Sequence, residues 1–520
     1  MLWAVLLSEL RCSPGARFMM SDYQMRTRRI LGWGDFACES PSTASAGPAS
    51  EPGPGLGGVR PSGWSRRRFL AWGGAAALWG GLSPMLVPRH VLGAGQQPPS
   101  ETLRLAAVGI GGMGQHYLEG CKTERVVALC DVDQGLAAKV FAKYPQAARY
   151  RDWRQMLDKE ANHFDALIIG TPDHTHAVIL KAAIQLGKHI YCAKPVTHSI
   201  GEARKIRQAL AAAPNLVTLT SVQSAGSEGA CCTAELLQTG VIGPVRELHI
   251  WCDHPMYPCS LLRPKEAETP PPGLDWDLWL GPAPYRPYHS VYHPWRWRPW
   301  WDFGTGTVGD MACHTFHVYF KLLRLAAPIR IHGYGSFRCD HSSARVETPE
   351  CQSHANFITW DFPARDGLPP LRMHWYDGGL RPARPPELDP KVPMPRTGVL
   401  FVGENGKLMT GYSGGRFLGR RGHRGGLLLP EEKFRDWPEP VPTLPRVTDH
   451  YGQWTQACKT GARTACPLEF GCEMTETALL GTLALRVGRL IEWDAPAMRV
   501  TNDDEADELV NPPYRKGWTL

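Results

Sequence analysis

Three glycines, Gly109, Gly111 and Gly114, follow directly on the apolar run Leu103–Val108, and a helical stretch follows them from Gln115 to about Cys121. No other stretch limits the fold so much. A strand that runs into Gly-x-Gly-x-x-Gly and then a helix needs room at three points. Gly109 permits the tight turn, Gly111 lets a ligand approach the backbone, and Gly114 lets helix pack on strand. With Gly112 and Met113 between them, the loop and the helix N-terminus offer N–H groups to phosphate oxygens. A second apolar run, Arg125–Cys130, ends in Asp131, 22 positions after Gly109. A carboxylate there suits a ribose 2′-hydroxyl and repels a 2′-phosphate. The expected ligand is therefore a nicotinamide dinucleotide, NAD rather than NADP. The alternative for Asp131 is to cap the helix that starts near Asp133.

Strand and helix patterns keep alternating. Asp152–Leu157 reads helical, and Asp165–Gly170 is an apolar run of buried-strand type. A helix follows over Ala177–Gln185, ended by Gly187, and then a strand over His189–Ala193. Such repetition implies a parallel sheet with ligands at the carboxyl ends of its strands. Two polar clusters fall there, Thr171-Pro172-Asp173-His174-Thr175-His176 and Lys194-Pro195.

Residues 1–100 read differently. Positions 39–63 are rich in Ser, Pro, Gly and Ala, which cannot bury enough apolar surface to order themselves. Then come Ser65-Arg66-Arg67-Arg68-Phe69-Leu70, a soft apolar stretch over 71–87, and Gly93-Ala94-Gly95. Basic start, apolar middle and small-residue end make an export signal of twin-arginine type. This predicts passage through the twin-arginine translocon and a periplasmic or otherwise exported protein, with a membrane anchor as the alternative. The long stretch before the arginines leaves a later start, such as Met25, open. The expected organisation is an extension and signal over 1–100, a Rossmann domain over 101–222, a second domain over 223–500 and a tail over 501–520. The net charge of +7 comes from scattered arginines without a basic stripe, which argues against nucleic acid as a partner. The chain has fifteen cysteines but no Cys-x-x-Cys pair, so no metal site is expected.

The glycine loop, "CDVD" at 130–133, "TPDHTHA" at 171–177, "AKP" at 193–195 and "GDMACH" at 309–314 together resemble the Gfo/Idh/MocA oxidoreductases. The stretches 274–289 and 300–314 are similar to the exported planctomycete-type branch of that family. The resemblance implies α/β plus α+β architecture. A Rossmann parallel sheet is followed, from about Gln223, by an open, mostly antiparallel sheet covered by helices on one face. It also implies association of copies into a homo-dimer or homo-tetramer, often through the bare face. The implied activity is NAD(P)-dependent hydride transfer to or from a sugar or polyol. Lys194 matches the family's lysine, and Asp310 and His314 match its Asp-x-x-x-His pair. That spacing puts both on one helix face. His314 is expected as the base, Lys194 as the cation beside the developing alkoxide, and Asp310 as the group orienting them. Thr171, Pro172, His174, His176 and Lys194 are expected near the cofactor. Ala193 departs from the family's glutamate, which normally helps to hold the lysine, and His317 stands where many members have an acid.

Tyr292, Trp297, Trp300 and Trp301 precede Asp310 closely and are expected to stack on a sugar ring; the alternative is a packed aromatic corner. Trp375-Tyr376-Asp377-Gly378-Gly379 is a second candidate of this kind. Export together with NAD implies a cofactor that is tightly held and recycled, because free NAD is not expected outside the cytoplasm. Two other readings stay open, an NAD-dependent glycosidase working by transient oxidation and elimination, and a non-catalytic sugar-binding relative.

Overall fold

β1 (Arg104–Val108) is buried from Leu105 onward and lies between two parallel neighbours, β2 (Arg125–Cys130) and β4 (Ala166–Ile169). Adding β3 (Ala148–Tyr150), β5 (His189–Cys192) and β6 (Thr218–Thr220) gives an all-parallel sheet in the order β3-β2-β1-β4-β5-β6. The computed structural model describes residues 101–419 and 421–520, and the export-signal reading lies outside them. The strands are joined through α1 (Gly114–Gly120), α2 (Ala138–Lys143), α3 (Trp153–Glu160), α4 (His176–Gln185) and α5 (Ile200–Ala211). Every residue of β4 is buried, as a strand covered by helices on both faces requires. Asp152 caps α3 by accepting from the Arg154 amide, and Ser199 with Glu202 forms a capping box on α5.

The strand order reverses between β1 and β4, which opens a crevice at their carboxyl ends. The glycine loop leaves β1 there. Gly109 has φ +76°, and a Cβ on it would meet the Thr171 amide nitrogen at 2.6 Å. A Cβ on Gly114 would lie 2.1 Å from the Gly109 carbonyl oxygen, so the close helix–strand approach is real. Gly112, by contrast, faces open space.

The rest of the chain builds a nine-stranded sheet. Its elements are α6 (Glu228–Gln238), β7 (Val245–Trp251), α7 (Trp276–Leu280), α8 (Gly306–Met311), α9 (Cys313–Leu322), β8 (Arg330–Gly335), the short hairpin β9 (Arg338–Cys339) and β10 (Arg345–Val346), β11 (Asn356–Phe362), β12 (Leu371–Tyr376), β13 (Gly398–Gly403), β14 (Lys407–Thr410), β15 (Leu427–Leu429), α10 (Glu431–Phe434), α11 (His450–Thr460), α12 (Leu468–Val487), β16 (Ile491–Asp494), β17 (Arg499–Val500) and α13 (Asp504–Glu508). The order is β15-β14-β13-β7-β12-β11-β8-β16-β17, antiparallel except where β7 meets β12. This is the open, mostly antiparallel sheet that the family resemblance implied.

β11 shows why one face is covered. Ile358, Trp360 and Phe362 are buried, while Phe357, Thr359 and Asp361 between them stay half-exposed. α12 lies on the buried face, where the Trp360 indole N–H donates to the Thr477 carbonyl at 3.0 Å. The same helix reaches the parallel-sheet layer. Its Glu476 pairs with Arg204 of α5 at 2.6 Å, and its Thr475 hydroxyl accepts from the Val196 amide. Residues 501–520 fold back as well. Val510 accepts from the Gly201 amide, the Tyr514 hydroxyl donates to Glu202, and Trp518 packs against Trp153. All thirteen described cysteines are free and most are buried, as small apolar side chains would be. No described helix is long and apolar enough to cross a membrane.

Gly114→Ala is expected to destabilise the fold by about 1–3 kcal/mol, because its methyl group must displace backbone. Gly112→Ala points into open space and is expected to change stability by less than about 0.5 kcal/mol. Paired thermal unfolding of the two variants checks this. Equal midpoints would mean that the helix–strand approach is not as close as described.

Candidate active site

At the carboxyl end of β5 the chain leaves the parallel sheet as Ala193-Lys194-Pro195. The Lys194 amide donates to the Ser221 hydroxyl at 3.0 Å. Its ammonium reaches across to α8 and donates to both the carboxylate Oδ1 and the backbone carbonyl of Asp310, each at 2.5 Å. The two side chains are 17% and 16% exposed, so the pair lies at the bottom of an opening and not in the sealed core. Asp310 Oδ2 also faces Arg298 Nε at 3.5 Å. Burial opposes ionisation of Asp310, but the charges of Lys194 and Arg298 outweigh it and hold the carboxyl well below its ordinary range.

Ala193 is buried and brings no carboxylate. Lys194 is nonetheless held at its amide by Ser221 and at its head by Asp310.

His314 sits one turn beyond Asp310, though not within one helix as the spacing suggested. α8 ends at Met311 and α9 begins at Cys313, with Ala312 carrying the helical path between them. The His314 ring is half-buried and makes no hydrogen bond to described residues. Burial, followed by the charge of Lys194, lowers its pKa to about 3. The ring is therefore neutral at physiological pH, with a lone pair to offer. His317 is buried within α9, with Nδ1 on the Cys313 carbonyl at 3.3 Å.

The structure corrects several expectations. His174 is buried, its two ring nitrogens facing the carbonyls of Phe303 at 3.2 Å and Trp279 at 2.9 Å, so no face is left for a cofactor. His176 is fully buried between the carbonyls of Pro195 at 2.9 Å and Thr171 at 2.8 Å. It ties together the two loops that carry Thr171 and Lys194, and so acts as a positioning residue. The four rings expected as an aromatic platform are all buried. Tyr292 and Trp300 are core, in T-shaped contact at 5.0 Å within a cluster that includes Trp276, Trp279 and Phe303. Trp301 is buried against Gly306, with Arg486 over its ring. Trp297 is buried too, and the Arg298 guanidinium lies 4.4 Å from its ring, so Trp297 steadies the cation beside Asp310. In the second aromatic candidate, Trp375 is core and its N–H donates to buried Asp377 at 2.9 Å.

Three groups near the pair escaped sequence reasoning. Asp173 Oδ2 accepts from the Thr305 hydroxyl at 2.8 Å and amide at 3.2 Å, and burial raises its pKa to about 7. Its only signal was its place in the 171–176 cluster. Arg298 looked like one of several arginines between tryptophans. His254, in the loop after β7, lies close enough to feel the charges of Asp310 and Lys194, and its Nδ1 is buried without a hydrogen-bond partner among described residues. Nothing in the sequence marked it.

The glycine loop fits a dinucleotide. Met113 is exposed, Gly112 is open, and the Thr171 hydroxyl beside Gly109 is buried without a partner among described residues. Asp131 points into the loop. Its carboxylate accepts from the Ile110 and Gly111 amides at 2.8 Å each and from Asp133 at 2.9 Å. Neither acid caps α2, whose N-cap is Ala137 without a side-chain bond; Asp133 instead accepts from the Leu136 amide in the turn before the helix.

Residues 103–221 match the NAD-binding Rossmann-fold model of the Gfo/Idh/MocA oxidoreductases, and residues 262–330 and 430–520 match the alpha/beta model for that family's C-terminal domain. The chain belongs to the Gfo/Idh/MocA oxidoreductase family. Inositol 2-dehydrogenase 1 of Saccharopolyspora erythraea is 31% identical over 123 residues, 21% of this chain and 36% of that protein. Inositol 2-dehydrogenase of Pseudomonas fluorescens is 28% identical over 158 residues, 29% of this chain and 46% of that protein. The chain thus spans less than half the length of these curated relatives. Among solved structures, the aldose-aldose oxidoreductase of Caulobacter crescentus, complexed with glycerol, has 16% identity and a TM-score of 0.48, covering 75% of this chain and all of the other.

The raised Asp173 carboxyl predicts a pH effect. In the unfolded chain it titrates near ~4, and in the fold at about 7. Between these values the folded form keeps a proton that the unfolded chain has released, so stability falls as pH rises through that window. Asp173→Asn is expected to flatten this decline without abolishing it, because burial also raises Asp377 to about 7. Melting temperatures across the window test it, and an unchanged slope contradicts the assignment.

Proposed function

We propose that this chain oxidises a secondary hydroxyl of a polyol or sugar, using NAD. The observation that carries the reading is the Lys194–Asp310 pair, which sets a cation at the carboxyl end of a parallel strand, in the same sheet as the glycine loop. Bound NAD supplies the hydride acceptor. Gly112 and Met113 present backbone to its pyrophosphate, whereas the Gly111 amide is spent on Asp131 and its open side is filled by Leu136; Asp131, held by the Ile110 and Gly111 amides, offers its remaining lone pairs to the ribose. Lys194 places positive charge where alkoxide character develops on the substrate oxygen. Asp310 keeps that ammonium in place. Neutral His314 takes the hydroxyl proton.

The remaining parts of the proposal rest on the sequence. Residues 65–95 are read as a twin-arginine signal, and an exported enzyme of this kind keeps its NAD through each cycle. Copies associate through the face of the nine-stranded sheet opposite α12.

Denaturing the purified protein is expected to release about one NAD per chain. Protein that releases none, and turns over only with added NAD, contradicts retention. His314→Ala is expected to lower kcat/KM for the active polyol or sugar by roughly 10²–10⁴-fold while bound NAD stays unchanged. Aglycone release from nitrophenyl glycosides without net NAD reduction would replace simple oxidation with transient oxidation and elimination.

A further inference from the structure

Three metal-ligating side chains meet on the face of the nine-stranded sheet opposite α12, beside the part that Leu388 and Val392 cover. β7 and β12 pair in register so that His249 lies opposite His374, and Glu247 sits two residues before His249 on the same face. One ligand atom from each of the three lies within 4.8 Å of the others. The two imidazoles stack with centroids 4.7 Å apart and 17° between their planes. Each is fixed through Nδ1 by a hydroxyl, His249 by Tyr376 and His374 by Thr359, both at 3.1 Å. Both Nε2 atoms are left for another partner, and that of His249 faces Glu247 Oε2 at 3.3 Å.

Two stacked histidines on a sheet often need no ligand, so the surroundings decide. The nearby cations are already paired. Lys407 is bound to Glu387 at 2.7 and 2.8 Å, and Arg372 to Asp361 at 2.6 and 3.1 Å. A hydrogen bond on the second ring nitrogen is the usual device for orienting a ligand histidine.

We propose that Glu247, His249 and His374 form a site for a divalent transition-metal cation of the zinc class. Two imidazoles and a carboxylate suit zinc, whereas magnesium and calcium prefer all-oxygen sets. Three protein ligands leave one tetrahedral position for water. The site is distinct from the Lys194–Asp310 centre. The covered face of the sheet carries Phe401, which packs at 4.9 Å on Tyr319 of α9, the helix of His314, while the histidines project from the opposite face.

The test uses the full chain, stripped with a chelator and titrated calorimetrically with Zn²⁺, with Co²⁺ absorption as a spectroscopic probe. One saturable equivalent per chain and a tetrahedral Co²⁺ spectrum are expected. His249→Ala and His374→Ala should each weaken binding at least about tenfold, and Thr359→Val, which removes only the orienting hydroxyl, by about 10-fold. Glu247→Gln, at an exposed position, should weaken binding without disturbing the fold, and His341→Ala should leave it unchanged. Absence of saturable binding at millimolar Zn²⁺, or binding that survives both histidine substitutions, overturns the proposal.

Discussion

Lys194 comes from the parallel sheet and Asp310 from the second domain, and their 2.5 Å contact exists only while the two layers stay docked. A partly buried ion pair of this kind is a poor source of net stability, because desolvation offsets much of the Coulomb attraction. Breaking it by removing one partner is nevertheless costly, since a charge is then left unpaired. The pair therefore depends on the surrounding packing, and the packing is extensive. α12 rests on the covered face of the nine-stranded sheet and touches α5 and the Val196 backbone. The last residues of the chain return to the first layer through Val510 and Tyr514.

Buried histidines add local precision. His176 lies between the carbonyls of Thr171 and Pro195, joining the two loops at the mouth of the crevice. His174 lies between Phe303 and Trp279, joining the parallel-sheet layer to the aromatic cluster of the second domain. A neutral imidazole has one N–H, so each ring donates to one carbonyl only. Burial keeps both neutral. Histidines in a motif beside a cofactor loop invite a catalytic role, yet these two shape the site from behind. The aromatic cluster acts similarly. Its rings are spent on core packing, and its edge reaches the site through Trp297, which with Trp295 holds the Arg298 guanidinium.

The charge balance at the centre is uneven. Lys194 and Arg298 face one ionised carboxylate, Asp310, while Asp173 titrates near neutrality and His314 and His254 are held neutral by burial. A site with surplus positive charge favours an oxygen that gains negative charge during reaction, as an alkoxide does. The opposite face of the nine-stranded sheet has a different chemistry, of stacked imidazoles and paired charges, and the sheet itself keeps the two apart.

The sequence alone determined what depends on near neighbours. Gly109 and Gly114 stand where any Cβ would strike backbone, and the apolar runs at 103–108, 125–130 and 165–170 are parallel strands because both faces of the sheet are covered. The place of Asp131 beside the loop was legible as well, since its distance is set by one strand–helix–strand unit, but that its buried carboxylate accepts from the Ile110 and Gly111 amides was not. Tertiary structure decided what depends on contacts between distant segments. It showed that Ala193 leaves Lys194 anchored, because the anchor lies on another domain. It also showed that Tyr292 and Trp300 are core, that Asp173 is buried deeply enough to hold a proton, and that His249 meets His374 through strand register. Burial and register are properties of the packed whole, and no local spacing encodes them.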